Sequence, residues 1–242
     1  MIMKKTIALI ALITALALGT QSDTFASTGK GKKRATFKVR IENIGGADGL
    51  TAADGTKYPF VLSPGLFVVN RKKQYFFDEG ERASKGLELQ AEDGNPEALS
   101  KKLLTKVGSL YLGIFNTPAS ADKAGPLLPG GAYEFTFDGT EGMKLNLIAM
   151  YGQSNDLFYA PKEGLDLFDE DGNAITGDIT DQLLLWDAGT EVNQAPGVGD
   201  EQAPRQKMAN SGKSEKGVVQ LVKDGFTYPN TKDVLRVTIA VQ

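Results

Sequence analysis

Three carboxylates in this sequence stand where charge is unwelcome. Glu134 lies between Tyr133 and Phe135, Asp156 closes the stretch Tyr151-Gly-Gln-Ser-Asn-Asp156, and Asp187 follows the large apolar run Leu183-Leu-Leu-Trp186. A carboxylate among apolar neighbours has to be paired, be neutralised through a shifted pKa, or hold a metal ion, unless it simply faces water. If a metal is the answer, calcium fits best. It takes about six to eight oxygen ligands, and loops at strand ends can offer carboxylates together with backbone carbonyls. The chain contains no His and no Cys, which excludes Ser-His-Asp and Cys-His nucleophiles and zinc centres of the usual kind. A different use of the same groups is an acid and base pair, Asp156 with Asp187, as in a glycosidase-like hydrolase.

A further acidic run, Asp169-Glu-Asp-Gly-Asn173, has the look of a calcium loop but lacks the later bidentate Glu at the required offset. Asp171–Gly172 falls between the apolar residues Leu165–Phe168 and Ile175 and reads as a hairpin turn.

The elements that must carry these residues read mainly as strands. Residues 35–44 alternate apolar and polar with period two, as do 132–137 and 143–150, with Asp138–Gly139 placed between the latter two like a hairpin turn. Further apolar stretches occur at 60–62, 66–69, 111–115, 165–168, 182–186 and 234–241. One segment differs. Asn95-Pro96 sets a helix start, Leu99, Leu103 and Val107 recur every fourth residue, and Gly108 supplies a stop, so a single helix is predicted near 95–107. The expected fold is an all-β antiparallel sandwich with one short helix, in one domain over residues 35–242. Trp186 and Tyr159 are expected to anchor the core or a loop, with ligand contact as the alternative. Residues 193–216 form a long Gln-, Asn-, Gly- and Pro-rich loop, a kind that is uncommon unless functional or disordered.

The first residues indicate export. Lys4 and Lys5 precede an apolar run from Thr6 to Leu18, and Thr24 and Ala26 stand at the −3 and −1 positions of a cleavage site. The run is short for a bilayer span, which needs about 20 residues. Residues 1–26 are therefore expected to be a removed signal peptide, leaving no membrane span. Residues 27–34 follow as a flexible basic arm, either solvated or in electrostatic contact with a cell surface. The mature chain keeps 27 − 2 = 25 basic and 30 − 1 = 29 acidic residues, a balance that argues against nucleic acid as a partner. Without disulfides, burial must hold the exported domain together, with a bound ion as a further contribution.

Several of these segments, taken in order, resemble the spondin domain, the N-terminal module of F-spondin and mindin, in a bacterial secreted form. The matching pieces include Phe37-Lys-Val-Arg-Ile-Glu-Asn-Ile44, Leu62-Ser-Pro-Gly65, residues 83–95, Pro129-Gly-Gly131 and residues 167–177. The most telling are Ser154-Asn-Asp-Leu-Phe-Tyr-Ala160 and Leu185-Trp-Asp-Ala-Gly-Thr-Glu191, and Gln202-Ala-Pro-Arg-Gln206 closes the series. The resemblance implies a C2-like antiparallel sandwich with a calcium ion near one end. Its ligands in animal members include an Asp in Ser-Pro-Asp-Trp, an Asp in Asp-Ala-Gly-Thr-Asp, and a Glu on the preceding strand. These map to Asp156, with Asn155 for Pro and Leu157 for Trp, to Asp187, and to Glu134, the last across an insertion around 138–142. The animal disulfide is not carried over. The function expected on both grounds is an exported, calcium-binding, non-enzymatic binding or adhesion-type module. It would act in the periplasm or outside the cell on an envelope or extracellular protein or glycan; the carboxylate hydrolase is the alternative. N-terminal sequencing of the exported protein is expected to begin at Ser27; a start at Met1 would refute the cleavage.

Overall fold

A computed structural model of the chain describes residues 31–106 and 111–242. The expected signal peptide, the first residues of the basic arm, and Val107 and Gly108 lie outside them. From Lys32 onward the chain forms one compact unit. It runs through β1 (Arg34–Asn43), β2 (Leu50–Thr51), β3 (Lys57–Tyr58) and β4 (Leu62–Asn70), then the helices α1 (Lys85–Asp93) and α2 (Glu97–Lys106). β5 (Tyr111–Phe115), β6 (Ala132–Thr140), β7 (Lys144–Tyr151), β8 (Leu157–Pro161), β9 (Leu165–Asp166) and β10 (Gly177–Asp178) follow. A 3-10 turn at Thr180–Gln182 leads into β11 (Leu183–Asp187), and β12 (Gln220–Leu221), the single-turn α3 (Thr231–Val234) and β13 (Leu235–Val241) complete the order.

All strand pairs are antiparallel. One sheet has the order β10-β13-β1-β6, a larger one β12-β11-β8-β7-β4-β5 with β9 also on β7, and β2 and β3 form a small hairpin. The fold is the expected all-β sandwich. Its main core lies between the two sheets, where Phe37, Val39, Tyr133, Phe137 and Val237 of the smaller meet Phe67, Leu145, Leu147, Leu157 and Tyr159 of the larger. The far face of the larger sheet carries a second core. There Leu66, Val68, Ile148, Phe158, Ala160 and Trp186 are covered by Leu87 and Ala91 of α1, Leu99 and Leu103 of α2, and Phe76 and Phe77. Burial on both faces explains why β7 and β8 are buried along nearly their whole length, whereas β1 alternates, as a strand with one solvated face must.

Three expectations change. The helical part is a pair rather than one helix, because α1 precedes the predicted segment; Ser84 caps it by accepting the Leu87 N–H, and Gly94 ends it in the left-handed region. The predicted α2 is present, with Asn95 Oδ1 accepting from Glu97 N at 3.0 Å. Asp138–Gly139 is not a turn: both residues pair with β1 inside β6, and the chain turns at Glu141–Gly142 to cross into the other sheet. A glycine belongs in the strand because Phe37 and Leu167 fill the space of its side chain; a Cβ there would stand 2.7 Å from each. Finally, the basic arm is already part of the structure at its end. Lys33 donates to the Asp171 carbonyl at 3.1 Å, and Arg34 opens β1.

Gly139→Ala is therefore expected to destabilise the protein by about 1–3 kcal/mol through overpacking. Gly125→Ala, where no atom lies within 4 Å of the added carbon, is expected to stay within about 0.5 kcal/mol of wild type. Denaturant midpoints of the two variants check this; equal, small effects would place residue 139 outside the core.

Candidate metal centre

Two of the three carboxylates singled out in the sequence meet at one end of the larger sheet. Asp187 is the last residue of β11 and pairs with Leu157, the first of β8, so Asp156 stands immediately before β8. The ladder continues one step, with Ala188 N donating to the Asp156 carbonyl at 3.2 Å. The chain then wraps around both side chains. Asp156 Oδ2 accepts from Thr190 N at 2.7 Å, Thr190 Oγ1 at 3.1 Å and Glu191 N at 3.1 Å. Asp187 Oδ1 accepts from Gly189 N at 2.7 Å, and its Oδ2 from Asn193 Nδ2 at 3.0 Å. Gly189 makes this wrap feasible: its φ is 66°, and a Cβ would stand 2.6 Å from Val218 N, a conformation and a space open only to glycine.

These donors do not complete the electrostatics. Asp156 is fully buried and Asp187 is 5% exposed, yet among the described residues neither has a cationic ion-pair partner. Asp156 Oδ1 and Asn193 Oδ1 are both buried with no hydrogen-bond partner. Desolvation, then the Asp187 charge, pushes the Asp156 carboxyl up to about 7 against the pull of its Thr190 and Glu191 donors. Desolvation likewise raises Asp187 to about 6.

Two more acids, which the sequence reading did not select, border the same corner. Glu191 is 4% exposed and accepts from Gly212 N at 2.8 Å through Oε1. Glu92, near the end of α1, is 3% exposed with Oε2 unpartnered, and burial raises it to about 7. The Thr-Glu pair following Asp187-Ala-Gly was visible as sequence; nothing in the α1 segment signalled Glu92. Glu134 does not join them. It projects from the solvated face of the smaller sheet, opposite Arg40 in register, and pairs with Arg40 Nη1 at 2.6 Å and Lys38 Nζ at 2.7 Å. Those two cations hold its carboxyl below the usual range. The Asp169–Asn173 run is the expected turn: Gly172 N donates to the Asp169 carbonyl at 3.0 Å, and Asn173 N to Asp169 Oδ1 at 2.7 Å.

The 193–216 loop is built rather than loose. Gln202 is fully buried, accepts from Gly197 N at 3.1 Å and donates to the Ala195 carbonyl at 3.0 Å. Arg205 reaches the Gly199 carbonyl at 2.7 Å and Gln153 Oε1 at 3.0 Å. Among the described residues no group of three acidic side chains is gathered tightly enough to close a metal site by itself. What the corner offers is a hard oxygen set: the free Asp156 oxygen, Asp187, and the amide oxygen of Asn193. That set fits calcium in chemistry and in its mixture of carboxylate and neutral oxygens.

The raised carboxyls fix a pH dependence. Their pKa values lie above those of the unfolded chain, so between the two the native state holds more protons, and stability falls as pH rises. With chelator present, the melting temperature is expected to climb as pH is lowered from about 8 to about 5, and Asp156→Asn to flatten that climb. Carboxyls held low, such as Glu134, lose their contribution only at more acid pH. A flat wild-type profile would contradict the uncompensated burial.

No protein-family model matches the chain, and no curated protein matches it.

Proposed function

We propose that the chain is an exported calcium-binding module of spondin type that works by binding rather than by catalysis. The observation that carries this reading is the Asp156 carboxylate, fully buried at a sheet end with one oxygen unpartnered and no cation beside it. A divalent cation there would neutralise Asp156 and Asp187 together and take the free amide oxygen of Asn193. Its chemical contribution is charge and coordination, and the loop contributes the shape. With the ion holding residues 187–193, the adjoining segment to residue 217, ordered by its own hydrogen bonds, would present a surface able to recognise an extracellular or envelope protein or glycan. Two residues that the spondin resemblance pairs, distant in sequence, meet at neighbouring strand ends, Asp187 closing β11 and Asp156 just before β8, which supports the same reading. The hydrolase alternative needs the two carboxylates to face an open groove; their burial beneath the loop favours the ion. No helix among the described residues is long and apolar enough to cross a membrane.

Calcium at about 100 times its dissociation constant is expected to stabilise the protein by about 2.7 kcal/mol, a rise in melting temperature of roughly 5–10 °C. Asp187→Asn keeps the acceptor for Gly189 N but removes a charge, and should weaken or abolish the rise. Asp171→Asn, in the exposed turn, should leave it intact, and magnesium should substitute poorly because it demands a tighter octahedral shell. Melting curves with calcium and with chelator decide the matter. No calcium shift in wild type, or equal loss in both variants, would refute the site.

A further inference from the structure

The two main sheets blunt most of their edges and leave one open. The smaller sheet ends on one side at β10 and the larger at β12, each only two residues long, which gives little template for pairing. The larger sheet ends on its other side at β5, with five residues. The remaining edge is β6, with nine. Its register with β1 is unbroken from Ala132 to Thr140, and it contains neither proline nor lysine. None of the usual devices that close an edge, a bulge, a proline or a lysine, is present on it.

The ladder shows which main-chain groups of β6 are free. Glu141 N donates to the Lys33 carbonyl and Asn43 N to the Gly131 carbonyl, each at 3.0 Å. Bonded pairs recur at every second residue of an antiparallel ladder, so the odd-numbered residues of β6 bond to β1 and the even-numbered ones turn outward. At the ends, the Ala132 carbonyl accepts from Ala119 N at 2.7 Å and the Thr140 carbonyl from Met143 N at 2.9 Å. Between them, Glu134, Thr136 and Asp138 present main-chain donors and acceptors with no backbone partner among the described residues. Thr136 and Asp138 are exposed.

The side chains beside this edge select what can lie along it. Lys38 and Arg40 both reach toward Glu134, at 2.7 and 2.6 Å, so cations outnumber acids at that end of the free stretch. At the other end Asp138 accepts from the Thr36 hydroxyl at 2.7 Å and has no ion-pair partner among the described residues. A strand that runs antiparallel and carries the same pattern therefore brings each acid to the other's cations. On the inner face it sets Phe135, half-buried, opposite a second Phe137, an aromatic cross-strand pair. Tyr111, largely exposed, lines the surface depression beside Asp138 and Gly139 and offers further apolar area.

We infer that β6 is the docking edge for a second copy of this chain, pairing antiparallel with its counterpart about a two-fold axis at Thr136. The two Thr136 residues exchange both main-chain bonds, Glu134 and Asp138 of opposite protomers do the same, and the smaller sheet continues through the dimer. Such a contact is isologous and closes on itself, so it yields a dimer and not a fibre.

The experiment is light scattering of the purified protein across a concentration series, paired with amide hydrogen exchange resolved by residue. A discrete dimer is expected to dominate by about 100 µM, within reach of a modest interface. Exchange at Glu134, Thr136 and Asp138 is expected to slow as concentration rises. Thr136→Pro removes a donor that faces away from β1, a position where an edge strand tolerates proline, and is expected to leave a folded monomer by circular dichroism. Asp138→Lys, which sets a third cation against the partner's Lys38 and Arg40, is expected to weaken the dimer at least about tenfold. A wild type that stays monomeric at about 100 µM would overturn the inference, as would a dimer that either variant leaves intact. The exchange measurement needs no variant to fold: a wild-type dimer whose Thr136 amide is indifferent to concentration would place the interface elsewhere and overturn it too.

Discussion

An ionised carboxylate cannot be taken fully out of water without compensation, and the architecture around Asp156 is organised by that constraint. Three donors converge on one of its oxygens and a fourth and fifth hold Asp187. Their positions dictate the path of residues 188–193, the left-handed Gly189, and through Glu191 and Gly212 the return of the loop. Hydrogen bonds of this kind favour the charged form by roughly 1.5–3 kcal/mol each, but cannot alone replace the hydration of two adjacent charges, as the upward displacement of both acids shows. The remaining deficit falls on the unpartnered oxygens. A corner so arranged is incomplete in charge while complete in backbone geometry.

Sheet burial sets where such a corner can exist. The larger sheet is enclosed by the smaller sheet on one face and by the helical pair on the other, so polar side chains can gather only at strand ends. Asp156 and Asp187 occupy one such end. Glu134, by contrast, is mid-strand on a sheet with one wet face, where ordinary ion pairing with Lys38 and Arg40 satisfies it.

That contrast also explains what the sequence revealed and what it concealed. Glu134 and Asp187 both follow large aromatic residues, but along a strand the neighbours of an outward residue point inward, so sequence adjacency alone does not separate a solvated carboxylate from a buried one. Strands with one solvated face, such as β1, were legible from alternation, and the apolar runs of β4 and β11 from their composition. The helix α1 was hidden because Leu87, Leu89 and Ala91 alternate as a strand would, and its buried side includes the polar Gln90 and Glu92. Asp138–Gly139 imitated a turn because the glycine is required by packing against Phe37 and Leu167 rather than by backbone curvature. The corner was legible as far as its strand-end carboxylates, Asp156 and Asp187, and illegible at Glu92, which α1 buries in it from a distant part of the chain.

Trp186 is the only tryptophan in the chain. It is fully buried, donates through its indole nitrogen to the Ala160 carbonyl at 3.0 Å, and lies 4.8 Å from the Phe77 ring between centroids, within the core shared by sheet and helices. It also immediately precedes Asp187. The molecule thus contains a single indole, shielded from solvent quenching and seated where helical layer and carboxylate corner adjoin. Its emission records the docking of those two parts without contribution from any other indole, giving the protein a built-in optical gauge of its own assembly.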